Sequence, residues 1–440
     1  MKIILIVMKR TRHLHGLAIL CLMLIGWIAI SPVSGETLQA FPADTVSPEY
    51  AEGFSVEYHD TYKRVTVLSP WRGSNETFTY LLVEPGTVPP DPGSGETVIE
   101  IPSRRFVSLS TTYLPYLPIL GETEALVGVE DASLVNTPEI VSRINEGYVR
   151  DVAGAGSGMA SGVDIEVLID LDPDLVMTYA TGTPEYDMHP KLKEAGIPVV
   201  LNGEYMETDP LGRAEWIKFV SVFFNKEKEA NEYFDRIEAE YLALKDLAAT
   251  EEKPTVFLNN NYRGTWYMAG GESYVACFLS DAGAGYFWAD DTTTGSIPLD
   301  FEVVYDRALG ADYWLNPGTV RSMEELLAED ARYADFGAVG SGQVYNNNAR
   351  VNDGGGNDYW ESGVVHPEIV LKDLLKIFHP DLVPDHDLVY YQQLKSADDS
   401  PGDGGSDLWE PFKAIYRELL KIFHLDLVSV CRIPGAGAGR

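Results

Sequence analysis

The sequence predicts an α/β protein: two Rossmann-like lobes joined by one long backbone helix, with a strand-rich N-terminal extension. Three observations carry that reading. From Arg105 onward, short apolar runs alternate with amphipathic segments, as in a parallel sheet covered by helices. Residues 226–250 keep helical spacing with no Gly or Pro inside, a rod of about 37 Å at 1.5 Å per residue. One helix–turn–strand phrase also occurs twice, as VDIEVLIDLDPDLVMTYATG (163–182) and LDFEVVYDRALGADYWLNPG (299–318). Each copy opens Asp-hydrophobe-Glu (Asp164-Ile165-Glu166, Asp300-Phe301-Glu302) and runs through an Asp (Asp174, Asp312) into an apolar strand.

The ends and the composition narrow the setting. Lys9, Arg10 and Arg12 precede an apolar run at 17–30, and SPVSG offers small residues for cleavage after Gly35. This reads as a signal peptide over 1–35, because 14 apolar residues fall short of the roughly 20 that span a bilayer. Met8 is an alternative start, and an uncleaved leader would serve as an anchor. The mature chain is therefore expected outside the cytoplasm, periplasmic or on the cell surface. A formal charge of −34 excludes nucleic acid, whose phosphates need clustered Lys and Arg, and the expected state is a monomer. Cys277, in SYVACFL, reads as a structural thiol in a buried helix.

Between the ends, FSVEYHDTYKRVTVLSPW and FTYLLVEPG alternate as strands around RGSNET, and PGTVPPDPGSGE reads as a linker closing a 36–100 extension. FVSLS, ALVGV, DLVMTYA and IPVVLN supply the strands of a first lobe over 101–208. A helical connection occupies 209–252, with Asp209 and Pro210 suited to open it. TVFLN, ADYWLN and GQVYNN supply a second lobe over 253–394. The remaining 395–440 reads as a low-complexity linker and an appended helix, where ELLKIFHLDLV echoes DLLKIFHPDLV.

Chemical motifs are sparse. GAGSGMASG fits no dinucleotide fingerprint, DLDPD lacks the Gly and closing Glu of a calcium loop, and NDGGGND reads as a surface turn. There is no G-x-S-x-G, H-E-x-x-H or phosphate loop, so neither an enzyme nor an intrinsic cofactor or metal is expected. What concentrates after the strands is aromatic and amide side chains, and ligands of open α/β sheets sit at the carboxyl ends of strands. Thr112, Tyr113, Tyr186, Tyr205, Tyr262, Trp266, Trp288 and Trp360 would then line a cleft between the lobes, with Arg263 and Arg350 for anionic groups.

RRFVSLSTTYLPYLPILGETEALVGV, the E-x-L-x-x-L-x-PDLV phrase, LKEAGIPVV and FGAVGSGQVY together resemble the substrate-binding proteins of ABC importers for iron–siderophores, haem and cobalamin. The resemblance covers roughly residues 104–382. It implies two lobes on a single helical backbone, a shallow cleft for an iron chelate or corrinoid, and delivery to an ABC transporter permease dimer. It also implies that Glu166 and Glu302 are the acids each lobe offers to that permease. An extracytoplasmic enzyme or a sensor ectodomain on the same scaffold is the alternative.

Overall fold

The computed structural model describes residues 44–93, 95–154, 162–249 and 251–395. The leader, most of GAGSGMASG and the tail helix lie outside them. The extension begins with a hairpin, because FSVEYHDTYKRVTVL breaks at 59–61 into β1 (Phe54–Tyr58) and β2 (Tyr62–Leu68). Two more strands, β3 (Thr77–Val83) and β4 (Thr97–Glu100), complete a sheet in the order β1-β2-β3-β4. β4 pairs parallel to β3, so the Pro/Gly stretch read as a linker connects neighbours of one sheet.

Alternation along β2 turns Lys63, Val65 and Val67 inward. Lys63 is fully buried, and its ammonium donates to Glu227 Oε1 at 2.5 Å, Asn225 Oδ1 at 2.7 Å and the Val222 carbonyl at 3.2 Å. Burial pulls its pKa down, while Glu227 opposes that shift. Two more carboxylates fasten the chain ahead of β1. Glu215 accepts from the backbone N–H groups of Glu49, Tyr50 and Ala51, and Glu207 from those of Glu52 and Gly53. The extension is thus sewn to the helical connection by buried charges with several partners each, the arrangement a buried charge requires.

The first lobe is an all-parallel sheet of β5 (Phe106–Ser108), β6 (Leu126–Val129), β7 (Arg150–Asp151), β8 (Leu175–Thr178) and β9 (Val199–Leu201), ordered β7-β6-β5-β8-β9. Its central strands are buried along their length, as helices on both faces require. The second lobe carries β10 (Thr255–Leu258), β11 (Asn261–Tyr262), β12 (Thr265–Ala269), β13 (Gly285–Tyr286), β14 (Ser296–Leu299), β15 (Tyr313–Leu315), β16 (Val344–Asn346) and β17 (Gln392–Gln393). The main sheet runs β13-β10-β15-β16-β17 with only β17 antiparallel, and β11-β12-β14 form a small antiparallel sheet beside it.

The repeated phrase gives the same construction in both lobes. Its helices span Ile165–Leu171 and Phe301–Ala308, and its strands are β8 and β15. Asp174 Oδ2 accepts from the N–H groups of Arg104 (2.7 Å) and Arg105 (2.9 Å) at the start of β5. Asp312 Oδ2 accepts from Thr255 N–H (2.8 Å) and Oγ1 (2.6 Å) at the start of β10. Each Asp therefore ties the amino end of its strand to the neighbouring central strand.

Helix Glu227–Ala248 joins the lobes. Its 22 residues make about 33 Å, and the spacing read from sequence (Ala230, Tyr233, Phe234, Ile237, Tyr241, Leu244, Ala248) is its buried face. At the other side of the molecule the lobes touch directly. A Cβ on Gly354 would lie 2.1 Å from the Ser133 carbonyl oxygen, and one on Gly356 would lie 1.9 Å from that of Leu134. NDGGGND, read as a surface turn, is thus an inter-lobe contact that admits only glycine at those positions. Beside it Asn352 Nδ2 donates to the Val135 carbonyl (3.0 Å). The buried Glu361 carboxylate accepts from Asn136 N–H (2.8 Å), Thr137 N–H (2.6 Å) and Thr137 Oγ1 (2.5 Å).

A helix without Gly or Pro has no built-in place to bend, and Glu361 holds the facing loops together. Solution scattering profiles with and without ligand should therefore nearly superimpose. Glu361→Ala strands the donors of Asn136 and Thr137 and should lower unfolding stability by about 2–3 kcal/mol in denaturant titrations. A marked ligand-induced compaction of the wild type would show a flexible hinge instead.

Candidate functional site

In open α/β sheets the ligand crevice forms where the strand order reverses, outside the carboxyl ends. In the first lobe that point lies between β5 and β8. A narrow pocket opens there. Leu109 follows β5, Glu130 follows β6, and Thr178 and Tyr179 end and follow β8. Tyr186 and Met188 close it from the next loop. The buried Asp187 carboxylate shapes that loop, accepting from Thr181 N–H (2.6 Å), Thr181 Oγ1 (2.9 Å) and Gly182 N–H (3.0 Å). Burial, then the neighbouring Asp131 and Asp151, push the Glu130 carboxyl up to about 7. Burial and the Glu130 charge push the Tyr179 hydroxyl far above its usual range.

A second polar cluster lies between the lobes. Arg213, buried, donates to Glu204, and its guanidinium carbon sits 5.0 Å from the Tyr274 ring centre in the other lobe. Tyr116 is fully buried beside them, and its hydroxyl has no hydrogen-bond partner among the described residues. Tyr359 and Tyr391 share a hydrogen bond on the second-lobe side.

Of the ligand-facing residues read from sequence, Tyr186 lies in the first-lobe pocket. Three are packed inside their lobes. Tyr113 is 1% exposed and its hydroxyl donates to the Asn202 carbonyl (3.3 Å). Trp266 is fully buried among Phe257, Phe301, Trp314, Tyr333 and Phe336, with Nε1 donating to the Leu258 carbonyl (2.7 Å). Trp288 is buried under the Arg307 guanidinium. In each case the ring is taken up by the packing of its own lobe.

The others hold loops or stand at the surface. Thr112 donates its N–H to Ser110 Oγ (3.3 Å), and Tyr205 donates to the Ala180 carbonyl (2.6 Å). Arg263 is exposed with its guanidinium over the Tyr262 ring, and the Tyr262 hydroxyl is buried without a hydrogen bond among the described residues. Arg350 pairs with Asp358 (3.0 Å), and Trp360 is half-buried, edge-on to Tyr359. The asparagines after the second-lobe strands also hold the backbone in place: Asn259 Nδ2 donates to the Tyr267 carbonyl, and Asn346 Nδ2 to those of Gly318 and Val320.

Glu166 and Glu302 are both exposed in the first turns of their helices. Glu302 approaches Arg332 at 3.6 Å, a loose surface pair. Glu130, Tyr179 and Met188 were missed in sequence. Glu130 carried one legible signal, the first of two acids directly behind the apolar ALVGV. Among the described residues no group of three or more His, Cys, Asp or Glu is placed to hold a metal ion. No described helix is long and apolar enough to cross a membrane.

Glu130 has a testable pH signature. Its folded-state pKa of about 7 lies above the ordinary 4.5, so the folded protein keeps a proton that the unfolded chain gives up. The associated stability is full below that window and is lost as pH rises through about 7. The fall in thermal midpoint from about pH 5 to about pH 7.5 should be smaller in Glu130→Gln than in the wild type. Equal slopes would mean that Glu130 titrates as an ordinary surface acid.

Comparison with known proteins places this geometry. An uncharacterized lipoprotein of Methanocaldococcus jannaschii is 29% identical over 301 residues, covering 66% of this chain and 68% of its own. A possible iron-binding, periplasmic solute-binding protein of Staphylococcus epidermidis aligns in structure at TM-score 0.48 and 19% identity, covering 62% of this chain and 98% of its own. A periplasmic vitamin B12 binding protein of Vibrio cholerae aligns at TM-score 0.45 and 16% identity, covering 63% and 96%. The family model described as periplasmic binding protein matches residues 107–350, from β5 through the second-lobe loops and more than half of the sequence, so the chain belongs to the periplasmic binding protein family.

Proposed function

We propose that this protein is an extracytoplasmic solute-binding receptor. It captures a metal chelate (a ferric siderophore or haem) or a corrinoid and hands it unaltered to an ABC-type importer. The observation that carries this reading is the match to a binding-protein family over residues 107–350, on two lobes whose first sheet reverses its strand order between β5 and β8. Aromatic side chains in the loops after the strands, such as Tyr186, Tyr262 and Trp360, favour a bulky ligand with apolar surface over a bare ion. Tryptophan fluorescence titrated with ferric siderophores, haem, cobalamin and simple metal salts tests it. A saturable response to one chelate or corrinoid is expected. Tight binding of a free metal salt with indifference to every chelate would sink the reading.

Delivery needs a docking face. Glu166 and Glu302 sit at matching places in the repeated phrase, exposed on helices that lead into the two sheets. A helix N-terminus stabilises a carboxylate by about 0.3–1 kcal/mol, which accounts for an acid at either site but not for its recurrence in both lobes. Two separated carboxylates would pair with arginines of a two-fold permease, and such pairs set encounter and register. Changing both, Glu166→Arg with Glu302→Arg, should leave ligand affinity and thermal midpoint nearly unchanged while abolishing ligand-dependent stimulation of the importer's ATPase. Normal stimulation by the double variant would reduce the repeated phrase to scaffold.

A further inference from the structure

The N-terminal extension reaches both lobes through one turn. Between β2 and β3 the chain reads Ser69-Pro70-Trp71-Arg72-Gly73-Ser74, and two consecutive side chains of it touch opposite lobes. Trp71 lies on the first lobe. A Cβ on Gly182 would stand 2.6 Å from its indole, which also meets His189 of that lobe (6.3 Å between ring centres) and Phe78 of β3 (6.1 Å). Beside it the Tyr205 hydroxyl, which donates to the Ala180 carbonyl (2.6 Å), lies 3.3 Å from the Pro70 carbonyl oxygen. Arg72 reaches the second lobe. Its Nη1 donates to Thr294 Oγ1 at 3.3 Å, and a Cβ on Gly295 would stand 2.4 Å from the guanidinium. Gly182 and Gly295 leave the space that these two side chains fill.

The sheet orders put this turn on the side of the cleft away from the direct contact between the lobes. That contact joins the segment after β6 to the segment after β16. Gly182 and Tyr205 follow β8 and β9, across the β5/β8 reversal, and Thr294 belongs to the segment that leaves β13 at the opposite end of the second sheet. The two ends of the bridge are unequal. The first-lobe end packs a half-buried indole against backbone. The second-lobe end is, among the described residues, one exposed side-chain hydrogen bond, readily exchanged for water. Ser69, at the base of the turn, has φ 45° directly before a proline, a conformation disfavoured on both counts. Glu361 at one side and a joining helix without Gly or Pro leave the lobes little freedom to part, so entry of a ligand calls for a smaller element to move. We propose that the β2–β3 turn is a latch across the cleft. It stays on the first lobe through Trp71, lets go of the second at Arg72, and so admits and discharges the ligand. The inference rests on the receptor reading above and gives the extension its part in it.

Two arms test this, and their failures are distinguishable. The first needs no ligand. Arg72→Cys is combined with Thr294→Cys in the full chain, with Cys21, Cys277 and Cys431 changed to serine, and treated with a short, reducible bis-methanethiosulfonate. An intramolecular cross-link is expected. None is expected for Arg72→Cys with Asp306→Cys, an exposed site on the helix that leads to the amino end of β15. Equal yields from the two pairs overturn the bridge. In the second arm, stopped-flow mixing follows cyanocobalamin, haemin and a ferric trihydroxamate on the wild type, on Arg72→Ala and on Gly295→Ala, whose methyl displaces the guanidinium. Losing one exposed hydrogen bond raises the open population about two- to fivefold, so association and dissociation should both quicken by that factor with affinity unchanged. Cross-linking residues 72 and 294 should abolish exchange of the bound probe, and reduction should restore it. Faster dissociation alone would make Arg72 a ligand contact and overturn the latch, as would unchanged rates in both variants with a probe that binds. If no probe binds any form, the receptor reading falls and the latch with it, while the cross-link still decides the bridge.

Discussion

The close approach of residues 352–356 to residues 133–135 is the constraint on which the two-lobed arrangement turns. Backbone meets backbone there, with room for no side chain at Gly354 or Gly356. Glu361 then accepts from the first turn of the facing segment, so the contact is directional as well as tight. A carboxylate taken out of water this completely is tolerable only because several donors converge on it. The same donors make the lobes' relative position specific, since a small slide would leave a buried charge unpaired. Glu130 lies two residues before Ala132 of that segment, so the clamp also fixes one wall of the pocket.

The molecule repeats this device wherever distant parts of the chain must be joined. Lys63 of the extension is held by Glu227 at the start of the backbone helix, and Glu215 and Glu207 gather the N–H groups of 49–53. Arg213, held by nearby Glu204, places its guanidinium 5.0 Å from the ring centre of Tyr274 in the second lobe. Apolar faces drive these layers together, but apolar contact is permissive of sliding. Buried charges with fixed hydrogen-bond directions set the register, at a desolvation cost that the surrounding burial offsets. Glu130 departs from that pattern. Its carboxyl is pushed up to about 7 by burial and then by the neighbouring Asp131 and Asp151, with no cation among the causes.

The sequence by itself determined the sheets, the helix between them and the twofold phrase. Those follow from periodicity, which is local: alternation and apolar runs mark strands, 3.6-residue spacing marks the buried face from Ala230 to Ala248, and Asp174 and Asp312 recur because each strand needs its amino end tied. The extension was legible as strands, though not as a sheet in which β4 returns beside β3 across the Pro/Gly stretch. Its attachment through Lys63 was hidden, since a Lys in an alternating strand reads as solvent-facing until its partner 164 residues away is known. The site was legible only as a region. Tyr113, Trp266 and Trp288 have the same residue chemistry as Tyr186, and only packing decided that they fill cores while Tyr186 faces a pocket. Glu130 was one acid among 67 until the fold set it beside Asp131 and Asp151 at the first-lobe pocket. Burial and pairing are properties of residues far apart in sequence, so the tertiary structure alone could assign them.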